Sequence, residues 1–108
     1  MTRLILAMLP DEEWLKKRAE TKQLGTFEDA WAETRSLAYA VQDVIEEALL
    51  SGIAEFVVVL YKGEPRIGVG LASNKLKDRW PEFLEEDVVR LKKIIGTDEE
   101  PKWYPDFD

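Results

Sequence analysis

The side chains able to do chemistry in this 108-residue chain are carboxylates, lysines, arginines, tyrosines and hydroxyls, because it contains neither histidine nor cysteine. Without cysteine there is no thiolate nucleophile, disulfide, iron–sulfur cluster or thiolate zinc site. Without histidine there is no imidazole to relay a proton or ligate a metal. The remaining groups would suit a hard, oxygen-liking ion such as Mg2+, but their spacing does not favour it. Glu12-Glu13, Glu46-Glu47 and Glu85-Glu86-Asp87 are sequence neighbours. Adjacent residues on a helix point about 100° apart, so these carboxylates read as solvated helix faces rather than convergent acid/base pairs. No catalytic residue, cofactor or metal ligand is assigned, and the chain is expected to be non-enzymatic.

Three other constellations carry a binding reading. Between Arg66 and Ala72 the residues alternate, with Ile67, Val69 and Leu71 on one face and Gly68, Gly70 and Ala72 on the other. Paired strand glycines let a backbone, an aromatic ring or a ligand come close, which makes Gly68 and Gly70, with Arg79, candidate ligand contacts. The same strip accommodates a packed tryptophan. As a phosphate loop it lacks the strand-to-helix context such a loop needs. Lys62, Arg66, Lys75, Lys77 and Arg79 form a locally basic segment near Tyr61 and Trp80, but Glu64 and Asp78 interrupt it and the formal charge of −7 opposes nucleic acid. It reads as a solvated turn. Val59-Leu-Tyr61, Ile67-Gly-Val-Gly70, Ser73-Asn74 and Arg79 resemble part of the GIY-YIG nuclease core, which would make Tyr61, Arg79 and one of Glu82, Glu85 or Glu86 its working residues. The pattern departs from that family: the second tyrosine would fall near Gly68, no histidine exists, and a large helical segment precedes the hairpin.

The third constellation points to protein contacts. Phe27, Trp31, Thr34, Ala38, Val41, Ile45 and Ala48 recur at alternating spacings of four and three, and Ala30, Leu37 and Val44 widen the stripe. Small residues there let a second helix approach. A homodimer through Ala30, Trp31, Leu37, Ala38 and Val41 is the leading expectation. From Asp98 onward five acids meet only Lys102, so −4 of the −7 sits in a segment that also holds Trp103, Tyr104 and Phe107. Acidic segments with spaced aromatics can serve as linear binding motifs, and the same rings can instead fold back on their own core.

The elements that position these groups follow from the punctuation. Leu4–Leu9 is apolar and stopped by Pro10, as for a buried strand. A helix follows from Pro10 to Gly25, then a long one from Thr26 to Leu50, spanning roughly 36 Å at 1.5 Å per residue. Glu55–Tyr61 and Arg66–Ala72 form a hairpin about Lys62-Gly-Glu-Pro65, Asn74–Arg79 forms one helical turn, and a last helix runs from Pro81 to Ile95. The expected architecture is α+β in the order β-α-α-β-β-α, with a small mixed three-stranded sheet, helices on one face and the first strand paired parallel. Residues 1–97 are read as the domain and 98–108 as an acidic aromatic tail. No apolar run approaches the roughly 20 residues of a membrane span, and the N-terminal run lacks a signal-like cleavage site, so a cytoplasmic protein acting on a protein partner or on itself is expected. Nucleic-acid binding is expected to be weak and salt-sensitive; sub-micromolar binding at physiological salt would overturn that.

Overall fold

The computed structural model describes residues 3–75 and 78–107. The β-hairpin has the most tightly specified turn in the fold. β2 (Glu55–Tyr61) and β3 (Glu64–Ser73) pair from Glu55↔Gly70 to Tyr61↔Glu64. Only Lys62 and Gly63 connect them, with φ of 52° and 80°. Two left-handed residues give a loop whose twist matches that of the flanking strands.

The remaining strands correct the sequence expectation. β1 (Leu4–Met8) lies beside β3 but runs antiparallel to it. The connection through two helices is long enough for either direction, so length alone could not choose between them. A fourth strand, β4 (Lys102–Pro105), comes from the segment read as a tail and pairs antiparallel with β1, from Leu4↔Pro105 to Ala7↔Lys102. Its aromatic pair Trp103-Tyr104 suits a strand, and Pro105 is tolerated because the strand is at an edge. The sheet is four-stranded and wholly antiparallel, in the order β2-β3-β1-β4.

The sheet also curls until its edges meet. Val59 of β2 bridges Asp106, and the Phe107 N–H donates to the Val58 carbonyl at 3.2 Å. Arg3 fastens the closure, donating from Nε to Asp78 at 2.9 Å and from Nη1 to Asp106 at 2.7 Å. The glycines of β3 permit the curl: a Cβ on Gly68 would lie 2.5 Å from the Met8 carbonyl oxygen, and one on Gly70 would collide with Val57 and the Trp80 ring. Leu71 is an extra residue, since Leu6 pairs with Ala72 and Ala7 with Gly70. Such a bulge bends the strand. It also turns Ala72 to the side of its partner Leu6, ending the alternation that the sequence suggests.

The outer face of the curled sheet carries the main core. Met8, Ile67, Val69 and Leu71 pack there with residues from α1 (Glu12–Lys22), α2 (Ala30–Glu47) and α3 (Glu85–Ile95). Ile5, Ala7 and Val59 form a smaller inner cluster, closed by Leu9, Val57, Trp80 and Tyr104. Arg18 and Lys22 of α1 bind Asp43 of α2, each at 2.8 Å. Burial alone would raise the Asp43 carboxyl, but hydrogen bonds from Lys22 and Arg18 hold it below its ordinary value.

Each helix is shorter than its punctuation suggests, because side-chain capping rather than the nearest proline or threonine sets the starts. Asp11 accepts from the Trp14 N–H at 3.2 Å, and Asp29 from Ala32 at 2.8 Å, so α1 and α2 begin after these carboxylates. Ser36 is buried and donates to the carbonyls of Thr26 and Ala32, which folds residues before α2 over its first turns. Asp87 accepts from Leu84 at 2.7 Å, so α3 starts at Glu85 rather than Pro81. The turn expected over Asn74–Arg79 includes residues 76 and 77, which lie outside the described residues.

At its far end α2 closes with the Leu50 N–H on the Ile45 carbonyl and the Leu49 N–H on Glu46. This paired arrangement needs a left-handed residue, and Leu49 supplies it at φ 62° although 75% exposed. A branched side chain in that conformation costs roughly 1–2 kcal/mol. Leu49→Gly is therefore expected to raise stability by about 1 kcal/mol. Gly68→Ala, which must move a backbone carbonyl, should lower it by about 2–3 kcal/mol. Thermal and urea unfolding check both, and equal signs for the two variants would contradict these assignments.

Candidate ligand cleft

The closure of the sheet leaves a cleft at one end. β2 meets the residues just after β4 through the backbone bridge Val59↔Asp106. Two residues further along each strand, Tyr61 and Tyr104 meet ring to ring, edge-on, with centroids 6.0 Å apart. Beyond them lies a cleft of about 390 Å3, where β1 passes into α1 and α3 passes into β4. Leu9, Pro10, Trp14 and Ile95 give it apolar walls. That volume is within the range of small-molecule sites, roughly 300–1,000 Å3.

Arg66 is the charged group set inside. It pairs across the hairpin with Val59, a member of the inner cluster, so it belongs to the inner side of the sheet with Gly68 and Gly70. Its guanidinium lies over the Tyr61 ring, 5.6 Å from the centroid. One Nη donates to the Pro10 carbonyl at 3.3 Å, which is long for such a bond. Its Nε is buried and has no hydrogen-bond partner. Among the described residues no carboxylate forms an ion pair with it. Lys102 adds a second cation to the lining, while Asp11, Glu99 and Glu100 supply acids. Two of these acids are occupied: Asp11 caps α1, and Glu100 pairs with Lys92.

Tyr104 is held neutral. Burial raises its pKa, the charges of Glu99 and Tyr61 add to the effect, and Arg66 opposes it. Its hydroxyl therefore stays a hydrogen-bond donor throughout the neutral range.

The residues singled out from the sequence are dispersed. Gly68 and Gly70 are covered by Met8, Leu9, Val57 and Trp80, which leaves no open strip above them. Arg79 is exposed, in a left-handed conformation. Leu37 and Val41 are consumed by the main core, whereas Trp31 is 73% exposed and Ala38 half-buried. Trp103 and Phe107 are half-exposed, and Tyr104 alone of the three C-terminal rings enters the cleft. In the basic segment, Lys62 covers Tyr61 at the turn, Arg66 is in the cleft, and Lys77 lies outside the described residues. Among the described residues no group of three carboxylates could hold a metal ion, and no helix is long and apolar enough to cross a membrane.

Sequence reasoning placed Arg66 and Tyr61 together in a basic, aromatic turn but missed Trp14 and Lys102, and did not bring the four into one cleft. One signal was available: Arg66 has the same parity as Gly68 and Gly70, which places a charge on an otherwise small, inward face. The convergence of Trp14 and Lys102 on it required the closure of the sheet. No family model matches the chain, and no curated protein or solved structure matches it significantly.

A tyrosine whose folded pKa is raised stabilises the fold fully below its unfolded value near 10, and the contribution is lost as pH rises through the folded value. Unfolding free energy should thus fall on the alkaline side from about pH 10. Tyr104→Phe should show a shallower decline, measured by denaturant unfolding between neutral and alkaline pH. Parallel declines in the two proteins would rule out Tyr104 as the source.

Proposed function

We propose that this chain is a small, non-catalytic binding domain whose site is the cleft between the β2–β3 hairpin and β4. The observation that carries the reading is Arg66, a cation with one long hydrogen bond, an orphaned buried Nε and no acid partner, placed beside two tyrosines. A buried donor left unpaired costs about 1–3 kcal/mol, and side chains that give up stability in this way concentrate where a ligand is met. Bond-breaking chemistry has no support from the groups present: among the described residues the cleft gathers a guanidinium, an ammonium, carboxylates, tyrosine rings and apolar walls, without a nucleophile set beside a base.

The test is a fragment screen of the intact protein by thermal shift, followed by backbone amide NMR for each hit. Hits should move resonances of Tyr61, Arg66, Trp14 and Tyr104 together and saturably. Hits confined to other surfaces, or none, would overturn the cleft as the working site.

Self-association is the second reading, favoured by the exposure of Trp31, Tyr39 and Leu49. With Leu37 and Val41 inside the core, a two-fold contact would have to use Trp31 and Ala38. Light scattering at micromolar concentration decides it: a dimeric mass reduced by Ala38→Glu supports the contact, and a monomeric mass in both proteins removes it. A cytoplasmic location is proposed on the same footing.

A further inference from the structure

The ligand class can be narrowed by asking what the cleft would accept beside Arg66, an inference that rests on the cleft being a binding site. The guanidinium presents a planar fork, and one edge of that fork, Nε with its neighbouring Nη, lacks a strong partner. Carboxylates and phosphates both match such a fork. Charge separates them. The lining carries Arg66 and Lys102 against Asp11, Glu99 and Glu100, the last paired with Lys92, so it holds no surplus of positive charge, and the whole chain is at −7. A dianion would meet one inner guanidinium and net repulsion beyond it. The N-terminus of α1, which borders the cleft and would otherwise favour a phosphate, is already capped by the Asp11 carboxylate and followed by Glu12 and Glu13. A single negative charge is what this site can neutralise.

The rest of the cleft describes the remainder of the molecule. Leu9, Pro10, Trp14 and Ile95 offer apolar surface, and the Tyr61 ring, which carries Arg66 and Lys62, borders it. The neutral Tyr104 hydroxyl adds one donor at the seam.

We infer that the cleft binds an organic monocarboxylate with an apolar, preferably aromatic, body. The carboxylate lies side-on to Arg66, accepting from Nε and the adjacent Nη once the guanidinium turns off the Pro10 carbonyl and brings the buried Nε to the cleft, and the body lies between Tyr61 and Trp14. No bond is made or broken. A free metabolite-sized acid and the C-terminal carboxylate of a peptide share this chemistry.

The experiment titrates the intact protein with phenylacetate, phenylacetamide, phenyl phosphate and an acetylated Ala-Ala-Phe tripeptide with a free carboxylate, followed by amide and arginine Nε–H NMR. Phenylacetate should shift the Arg66 Nε–H and the cleft amides saturably. The amide and the phosphate should bind at least about 10-fold more weakly, as expected when a charge-assisted hydrogen bond is lost or mismatched. Arg66→Gln should weaken phenylacetate by a similar factor, and Arg66→Lys should recover little of it, since an ammonium lacks the fork. Melting temperatures establish that the variants fold; if they do not, the ligand series on the unaltered chain decides alone. Tighter binding of the tripeptide than of phenylacetate identifies a peptide terminus as the source, and the reverse identifies a free acid; both uphold the carboxylate. Phenyl phosphate binding as tightly as phenylacetate, or the amide equalling it, overturns the carboxylate while leaving the cleft as a binding site. If none of the four moves a cleft resonance, the carboxylate inference fails, and a blank fragment screen would then remove the cleft reading as well.

Discussion

The approach of β1 to β3 at Gly68 sets the shape of everything around it. With the Met8 carbonyl oxygen 2.5 Å from the place a Cβ would occupy, any side chain there would push the end of β1 outward. Leu9 and Pro10 would move with it, and so would the start of α1. The curl of the sheet, the meeting of β2 with the residues after β4, and the cleft at the end all require that contact. Gly70 and the bulge at Leu71 continue the bend along the same strand. A few missing atoms on one strand thus convert a flat antiparallel sheet into one with an inside.

Having an inside creates two environments of different chemistry. The outer face receives three helices and buries aliphatic side chains as a conventional core. The inner side is narrow, and is filled by Ile5, Ala7, Val57 and Val59 with Trp80 packed over Gly70. Where the filling stops, Arg66 and the two tyrosines begin. The polar groups therefore occupy the one part of the inner side that the sheet cannot fill with its own hydrophobic residues, which is how small curled sheets commonly come to hold ligands at their mouths.

Much of this was legible in the chain itself, though unevenly. The hairpin was readable because Lys62-Gly63 and the β-branched run of β2 act locally. The three helices were readable from proline, glycine and charge punctuation and, in α2 and α3, from periods of 3.6, but their starts were placed too early, at Pro10, Thr26 and Pro81, because Asp11, Asp29 and Asp87 set them through hydrogen bonds. β4 was hidden by composition: two prolines and a run of acids made Trp103-Tyr104 resemble a tail, when they complete the edge of the sheet. The stripe of α2 was seen correctly as apolar, yet which part of it faces inward depends on the other elements, and they claim Leu37 and Val41 while leaving Trp31 in water. The cleft was the least legible feature, because Trp14, Arg66 and Tyr104 lie far apart in sequence and converge only through a closed sheet.

The pairing of β1 with β4 has a consequence for the birth of the protein. Leu4–Met8 emerges from the ribosome before either partner, which begins at Glu64 on one side and at Lys102 on the other. During synthesis this strand, apolar in all five residues, has neither neighbour until β3 has been made, and its second edge stays open until β4 follows. Unpaired apolar strands invite pairing with other chains, and contacts of such long sequence separation form slowly. The nascent chain thus carries an exposed apolar strand, a template for aggregation, until β3 and then β4 have been made.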